Sequence, residues 1–151
     1  MNPRAWILAV GVAATLVACH GLKPGEASLR FDGERTGQFK GGGVTCPPIS
    51  SISATWQWAG DVGGRRVSVV AAALNSSGIP DSLLINSENV SWKGRQPYPD
   101  EPPADGQFTA RIDEKDKTVL HIEGSAINNQ VGPIKVSGSL RCPCANPPCF
   151  P

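Results

Sequence analysis

Residues 134–141 alternate between apolar and polar side chains, and this pattern limits the possible folds more than any other feature of the sequence. The apolar or small residues fall at every second position: Ile134, Val136, Gly138 and Leu140. Successive side chains of a β-strand point to opposite faces, so the pattern predicts a strand with one face buried and the other in water. After residue 27 no window keeps the period of about 3.6 that an amphipathic helix requires. We therefore expect an all-β domain.

Similar segments recur along the chain, separated by clusters of Gly, Pro, Asn and Asp. Besides 134–141, strands are predicted at 29–32, 38–46, 54–58, 66–74, 83–92, 108–112 and 118–126. The last two form a hairpin around a charged loop. About seven or eight antiparallel strands are typical of a small β-sandwich or of a partly open barrel. Four prolines in 96–106 exclude a central strand there and predict an exposed loop or crossover.

The first 18 residues have the layout of an export signal. Arg4 precedes an uncharged apolar run at 5–18, which is too short to cross a hydrocarbon core of about 30 Å as a helix. The run ends in the tetrad Leu16, Val17, Ala18, Cys19. This tetrad resembles the bacterial lipobox, in which the cysteine thiol receives a diacylglyceryl group before cleavage. The resemblance implies a lipoprotein anchored through Cys19. The alternative is an ordinary secretory signal followed by an incidental cysteine.

Cleavage before Cys19 would leave 133 residues, enough for one domain and not for two. Residues 19–27 would form the lipidated N-terminus and a short flexible tether, residues 28–142 the β domain, and residues 143–151 a Cys- and Pro-rich tail. Two or three acyl chains make attachment durable, since each buried methylene contributes about 0.8 kcal/mol. We expect the domain on the extracytoplasmic side of the cell envelope, held at the membrane by lipid on Cys19.

The mature chain is electrically balanced. Because Arg4 is lost with the signal, 13 basic and 13 acidic residues remain. Binding to a polyanion needs clustered cations without neutralising partners, so nucleic acid is not an expected partner. The longest basic cluster is Arg65 with Arg66, which is more typical of a solvated strand face than of a binding patch.

Four cysteines remain once Cys19 carries lipid: Cys46, Cys142, Cys144 and Cys149. An even number outside the cytoplasm predicts two disulfides, whereas a structural zinc site takes paired cysteines and Cys46 is isolated, so no metal is expected. Cys46 and Cys142 each end a predicted strand, and neighbouring strands could place them at disulfide distance. Cys144 and Cys149 would then pair within the tail. The rival pairing of Cys46 with Cys144 and Cys142 with Cys149 needs a shift of only two residues and stays open.

No residue pattern predicts catalysis. His121 lies in a predicted strand with no motif of Ser, Cys or carboxylate around it, so we expect no histidine-based active site and no enzyme. Three carboxylates cluster in the proline-rich loop but lack the spacing of a Ca²⁺ site, and solvated loop charges are the simpler interpretation: Asp100, Glu101 and Asp105.

Trp56 and Trp58 are the candidate ligand-binding residues. They share one face of a predicted strand, where two indoles could form a flat platform for a sugar ring or another apolar ligand. The alternative is burial in the core, because a domain of this size needs large side chains inside.

The layout resembles the mycobacterial lipoprotein antigen family. The resemblance depends on the lipobox, on an early strand ending Val44-Thr45-Cys46 and on a final strand ending Leu140-Arg141-Cys142. It implies a β-rich domain, a disulfide between the two matching cysteines, and a non-enzymatic role as surface antigen or adhesin. The tail 143–151 and the tryptophan pair are not part of the family's pattern.

Taken together, the sequence predicts a lipid-anchored, non-enzymatic envelope lipoprotein without a cofactor. It would serve as a surface antigen, an adhesin or an accessory binding module whose partner is an envelope or host protein. The alternative function is a carrier that binds a small apolar or sugar ligand at Trp56 and Trp58.

Overall fold

A computed structural model describes residues 21–50 and 53–150. The predicted signal peptide and Cys19 lie outside the described residues. Within these two ranges the chain forms ten β-strands: β1 (Ala27–Gly33), β2 (Gly37–Gly41), β3 (Val44–Thr45), β4 (Thr55–Val62), β5 (Arg65–Ala72), β6 (Ser82–Ser87), β7 (Val90–Arg95), β8 (Phe108–Ile112), β9 (Val119–Asn128) and β10 (Gly132–Arg141). The same ranges contain no helix with the length and apolar character needed to cross a bilayer.

All ten strands belong to one sheet that curls into a half-barrel, with the order β2-β1-β10-β9-β7-β6-β5-β4-β3 and with antiparallel pairing between neighbours. Strand β8 lies off this path and pairs with the first half of β9. The expected all-β class is confirmed. There are ten strands because two predicted segments each contain a turn: Gly42 and Gly43 divide 38–46, and Glu88 and Asn89 divide 83–92.

The glycine pair between β2 and β3 carries the chain from one edge of the sheet to the other. Gly43 has a φ of 104°, and a Cβ at this position would lie 2.6 Å from the backbone oxygen of Ala59, so only glycine fits. Directly before this corner, the Phe39 ring packs against the indole of Trp58, with 4.6 Å between ring centroids. The curl therefore brings the two edges of the sheet together around this aromatic pair.

The two ends of the half-barrel differ in their connections. One end, which we call the turn end, has the short turns at 34–36, 63–64, 88–89 and 129–131. The other, which we call the Leu22 end, has both ends of the described chain, the segments 46–50 and 53–54, and the longer loops 73–81 and 113–118. Backbone contacts hold its parts together: Thr55 N–H donates to Pro47 O, and Cys149 N–H donates to Cys46 O.

The turn end is closed by Arg35, which is buried despite its charge. Its guanidinium donates to Ser87 Oγ at 3.0 Å, bonds Glu34 and lies 6.0 Å from the centroid of the Trp92 ring. A buried cation is stable only when it is paired and hydrogen-bonded, and these neighbours meet that requirement.

Both terminal segments pack against the domain. Leu22 is buried, Gly25 N–H donates to Arg141 O, and β1 begins at Ala27. Residues 22–27 of the expected tether therefore fold onto the sheet, and residues 19 and 20 lie outside the described residues. The tail is also folded, through its own disulfide and through the bond from Cys149 N–H.

The interior of the half-barrel is filled by large apolar side chains. Trp56, Trp58 and Trp92 are the largest of them, exposed by 2 %, 1 % and 0 %. The expectation of a ligand platform at Trp56 and Trp58 is therefore not met, because neither indole reaches the surface. Their burial in the core, the alternative interpretation of the sequence, is what the structure shows.

Candidate functional site

A groove with a volume of about 900 Å³ crosses the outer face of the sheet. The exposed sides of β1, β8, β9 and β10 form its floor, and the proline-rich loop 96–107 forms its wall. Along each strand, residues that face outward alternate with residues that face the core. The outward residues carry charges and hydroxyl groups, and these side chains line the groove. No local sequence pattern marks this site, because its residues come from four separate segments.

Four charged side chains stand on the floor, two of each sign: Arg30, Asp32, Glu123 and Lys135. The register places Asp32 opposite Lys135, Arg30 opposite Ser137, and Ser137 opposite Glu123. All four charges are exposed. Among the described residues, none of the four side chains forms an ion pair or a hydrogen bond. The floor therefore presents cations and anions that are solvated and available to a ligand.

The wall of the groove is held in one conformation by several polar contacts. Arg95 forms a two-pronged ion pair with Glu101, whose carboxylate also accepts from Tyr98 N–H at 2.9 Å. The bond from Arg95 is the main reason that the pKa of Glu101 falls to about 2. At the far end of the loop, Gly106 N–H donates to Ser125 Oγ at 2.9 Å. Together with four prolines, these bonds make the wall rigid before any ligand arrives.

The remaining loop carboxylates do not assemble a cation site. Glu101 is paired with Arg95, Asp105 lines the groove, and Asp100 is exposed. In the described part of the chain, the only cluster of three groups with metal-ligating chemistry consists of cysteines.

His121 lies between Asp113 and Ser139. Its Nδ1 is 2.8 Å from Ser139 Oγ, and its Nε2 is 3.0 Å from Asp113 Oδ2. The expectation that no serine or carboxylate surrounds this histidine is therefore wrong. The partners are distant in sequence, but Ser139 is directly opposite His121 in the β9–β10 ladder, and Asp113 follows the strand on its other side. Both partners of His121 could have been predicted from the sequence by aligning the predicted strands in antiparallel register.

The three residue types match those of a hydrolase triad, but their surroundings are those of a structural link. Asp113 also accepts hydrogen bonds from Lys115 N–H and Asp116 N–H, both at 2.9 Å. The bond to His121 and these two backbone bonds hold the pKa of Asp113 well below its usual range. Ser139 is only 4 % exposed and does not line the groove, which leaves a substrate little access to its hydroxyl. The arrangement joins the loop 113–118 to β10.

The four described cysteines form two disulfides, Cys46–Cys142 and Cys144–Cys149, with Cα–Cα distances of 5.7 Å and 5.6 Å. This is the favoured pairing of the two that the sequence left open. The reason given for it needs correction, because β3 and β10 are not neighbours in the sheet. The curl of the half-barrel brings their ends together across the Leu22 end.

The Sγ atoms of Cys46, Cys142 and Cys149 lie within 4.8 Å of one another. All three belong to disulfides, and a metal would need thiolates, so the oxidised protein offers no ligand set here. The two disulfides covalently link the chain segments that meet at the Leu22 end.

No family model, no curated protein and no solved structure matches this chain. The function is therefore argued from the residues and their geometry.

Proposed function

We propose that this chain is a lipid-anchored lipoprotein of the bacterial cell envelope, and that it acts without catalysis as a binding module for another protein. The observation that carries the binding role is the groove, with its restrained wall and the four unpaired charges of its floor. The exposed carboxylate of Asp105 on the wall adds a further anion. The apolar run at 5–18 and the tetrad ending in Cys19 support the anchor. Two disulfides agree with an oxidising compartment outside the cytoplasm.

The charge pattern of the floor favours a polypeptide segment as ligand. Two cations and two anions suit a partner that carries both signs, as an exposed protein segment does, and suit a uniform polyanion poorly. Because the four charges are exposed, binding would depend on ionic strength and would gain more in specificity than in affinity. A partner on the envelope or on a host cell would meet this surface, consistent with an antigen, adhesin or accessory role.

The carrier alternative has no support from Trp56 and Trp58, since both indoles are part of the core. A ligand at these residues would have to displace packed side chains.

The anchor is tested by fractionating cells that express the wild type or Cys19→Ser. We expect the wild type in the detergent-soluble membrane fraction, with diacylglycerol on its N-terminal peptide by mass spectrometry, and the variant released from membranes. Equal membrane retention of both proteins would remove the basis for the anchor.

The groove is tested by selecting displayed random peptides on the immobilised protein. Selected peptides should carry charges of both signs and should lose binding to the double variant Arg30→Glu/Lys135→Glu. The matched control is Lys40→Glu/Arg66→Glu, which makes the same change in net charge at two exposed residues outside the groove. No enrichment, or equal loss in both double variants, would contradict a binding role for the groove.

A further inference from the structure

Among the described residues, most of the large exposed aliphatic and phenylalanine side chains lie at the Leu22 end, while Tyr98, 70 % exposed, lies on the loop 96–107. Four of the large ones lie on its loops or tail: Ile49, Leu74, Ile79 and Phe150. Leu74 is 74 % exposed and Phe150 is 67 % exposed, which leaves most of each side chain in water. Exposed apolar groups gathered in one region mark a contact with another surface. At the turn end, among the described residues, only Ile127 and Val131 are comparable, with exposures of 39 % and 41 %.

The segments that carry these side chains are adjacent. Thr55 N–H donates to Pro47 O, and Thr55 pairs with Ala72 at the end of β5, so the segment 46–50 lies beside the loop 73–81. The tail joins them because Cys149, next to Phe150, bonds the backbone of Cys46. Ile49, Leu74 and Phe150 thus belong to one end of the half-barrel.

The position of Leu22 determines what this end faces, if Cys19 carries lipid as proposed above. Leu22 is buried, and its carbonyl accepts a hydrogen bond from Arg141 Nη1. Three residue steps separate it from Cys19 and span at most about 11 Å when fully extended. Acyl chains on Cys19 lie in the bilayer, so Leu22 is held within about 11 Å of the lipid attachment point and its end of the half-barrel is turned toward the membrane.

We infer that the Leu22 end rests on the membrane and inserts Ile49, Leu74 and Phe150 into the lipid interface. Apolar side chains of peripheral proteins enter this boundary to a depth of about 5–10 Å. The three residue steps between Cys19 and Leu22 are long enough to allow this depth. Lys23 is exposed beside Leu22, where its ammonium group would face the lipid phosphates in this orientation. The contact orients the domain, so that the turn end points away from the membrane and the groove opens to the side. This inference rests on the proposed anchor.

The test uses the full lipidated chain reconstituted into phosphatidylcholine vesicles, with and without bromine atoms on the acyl chains. Bromine quenches tryptophan emission over short distances, so each added tryptophan reports contact with lipid. The variants are Leu74→Trp and Phe150→Trp, and the matched control is Val131→Trp at the turn end. All positions are exposed, and the three core tryptophans contribute the same background to each variant.

Flotation of the vesicles reports whether the protein is anchored to lipid, and quenching reports which end of the domain contacts the membrane. We expect every variant to float, the added emission of Leu74→Trp and Phe150→Trp to be largely lost in brominated vesicles, and that of Val131→Trp to be unchanged. Proteins that float without quenching at positions 74 and 150, or with equal quenching at all three positions, would overturn the inference and leave the anchor intact. If the wild type does not float, both the anchor and the inference fail.

Discussion

Removing the disulfide between Cys46 and Cys142 should destabilise the domain much more than removing the one between Cys144 and Cys149. The first bridge joins residues separated by 96 positions and the second joins residues separated by 5. In the chain-entropy model, the stabilisation grows with the logarithm of the loop that the bridge closes. It amounts to about 4.7 kcal/mol for the long loop and about 2 kcal/mol for the short one.

The surroundings of the two bridges increase this difference. Cys46 and Cys142 are each 1 % exposed and belong to the core, whereas Cys144 and Cys149 are partly exposed. Losing two buried sulfur atoms leaves a cavity, which adds to the entropic loss.

The assay is equilibrium unfolding in urea, followed by the fluorescence of the buried tryptophans. The two double variants are Cys46→Ala/Cys142→Ala and Cys144→Ala/Cys149→Ala. We expect the free energy of unfolding to fall by about 4–5 kcal/mol in the first and by about 2 kcal/mol in the second. Equal losses, or a larger loss on removing the tail bridge, would refute the argument that the long bridge stabilises the domain by closing nearly all of it.

Three further outcomes follow from individual contacts. The pKa of Asp113 is lower in the folded protein than in the unfolded chain, so the stability that this carboxylate contributes is present above about pH 4 and is lost as the pH falls further. Asp113→Asn should therefore make the urea unfolding midpoint less sensitive to acid. Trp92→Phe should cost about 0.5–1.5 kcal/mol more than Trp58→Phe in urea unfolding, because Trp92 Nε1 donates to Gly132 O whereas Trp58 Nε1 has no partner among the described residues. Gly43→Ala should destabilise by about 1–3 kcal/mol in the same assay, with no loss if the corner between β2 and β3 relaxes freely.

Strand periodicity predicted most of the fold, because the core is built from alternate residues of each strand. In β10, Ile134 and Val136 are buried as expected, but the alternation ends at Gly138, after which both Ser139 and Leu140 are buried. Gly138 has a φ of 142°, and a Cβ there would lie 2.0 Å from a backbone oxygen of β1. The sequence showed the glycine but not the close approach that requires it.

The missed features share one physical cause, which is that they depend on pairing between distant segments. His121 seemed isolated because its serine partner is 18 residues away along the chain. The disulfide at Cys46 was predicted with the correct partner for an incomplete reason, since only the curl of the sheet brings the two cysteines together. Periodicity reports which face a residue occupies, not which strand lies beside it.

The filled interior also determines where this protein can bind anything. A small barrel either encloses a ligand or packs its own side chains inside, and here three tryptophans and Phe31 occupy that space. The proposed binding would therefore use the outer face, where the strands present their polar residues and the loop 96–107 supplies the concavity that a bare sheet lacks. If the Leu22 end rests on the membrane, this groove opens to the side of the domain, and its charges of both signs would be presented to a protein that approaches along the membrane.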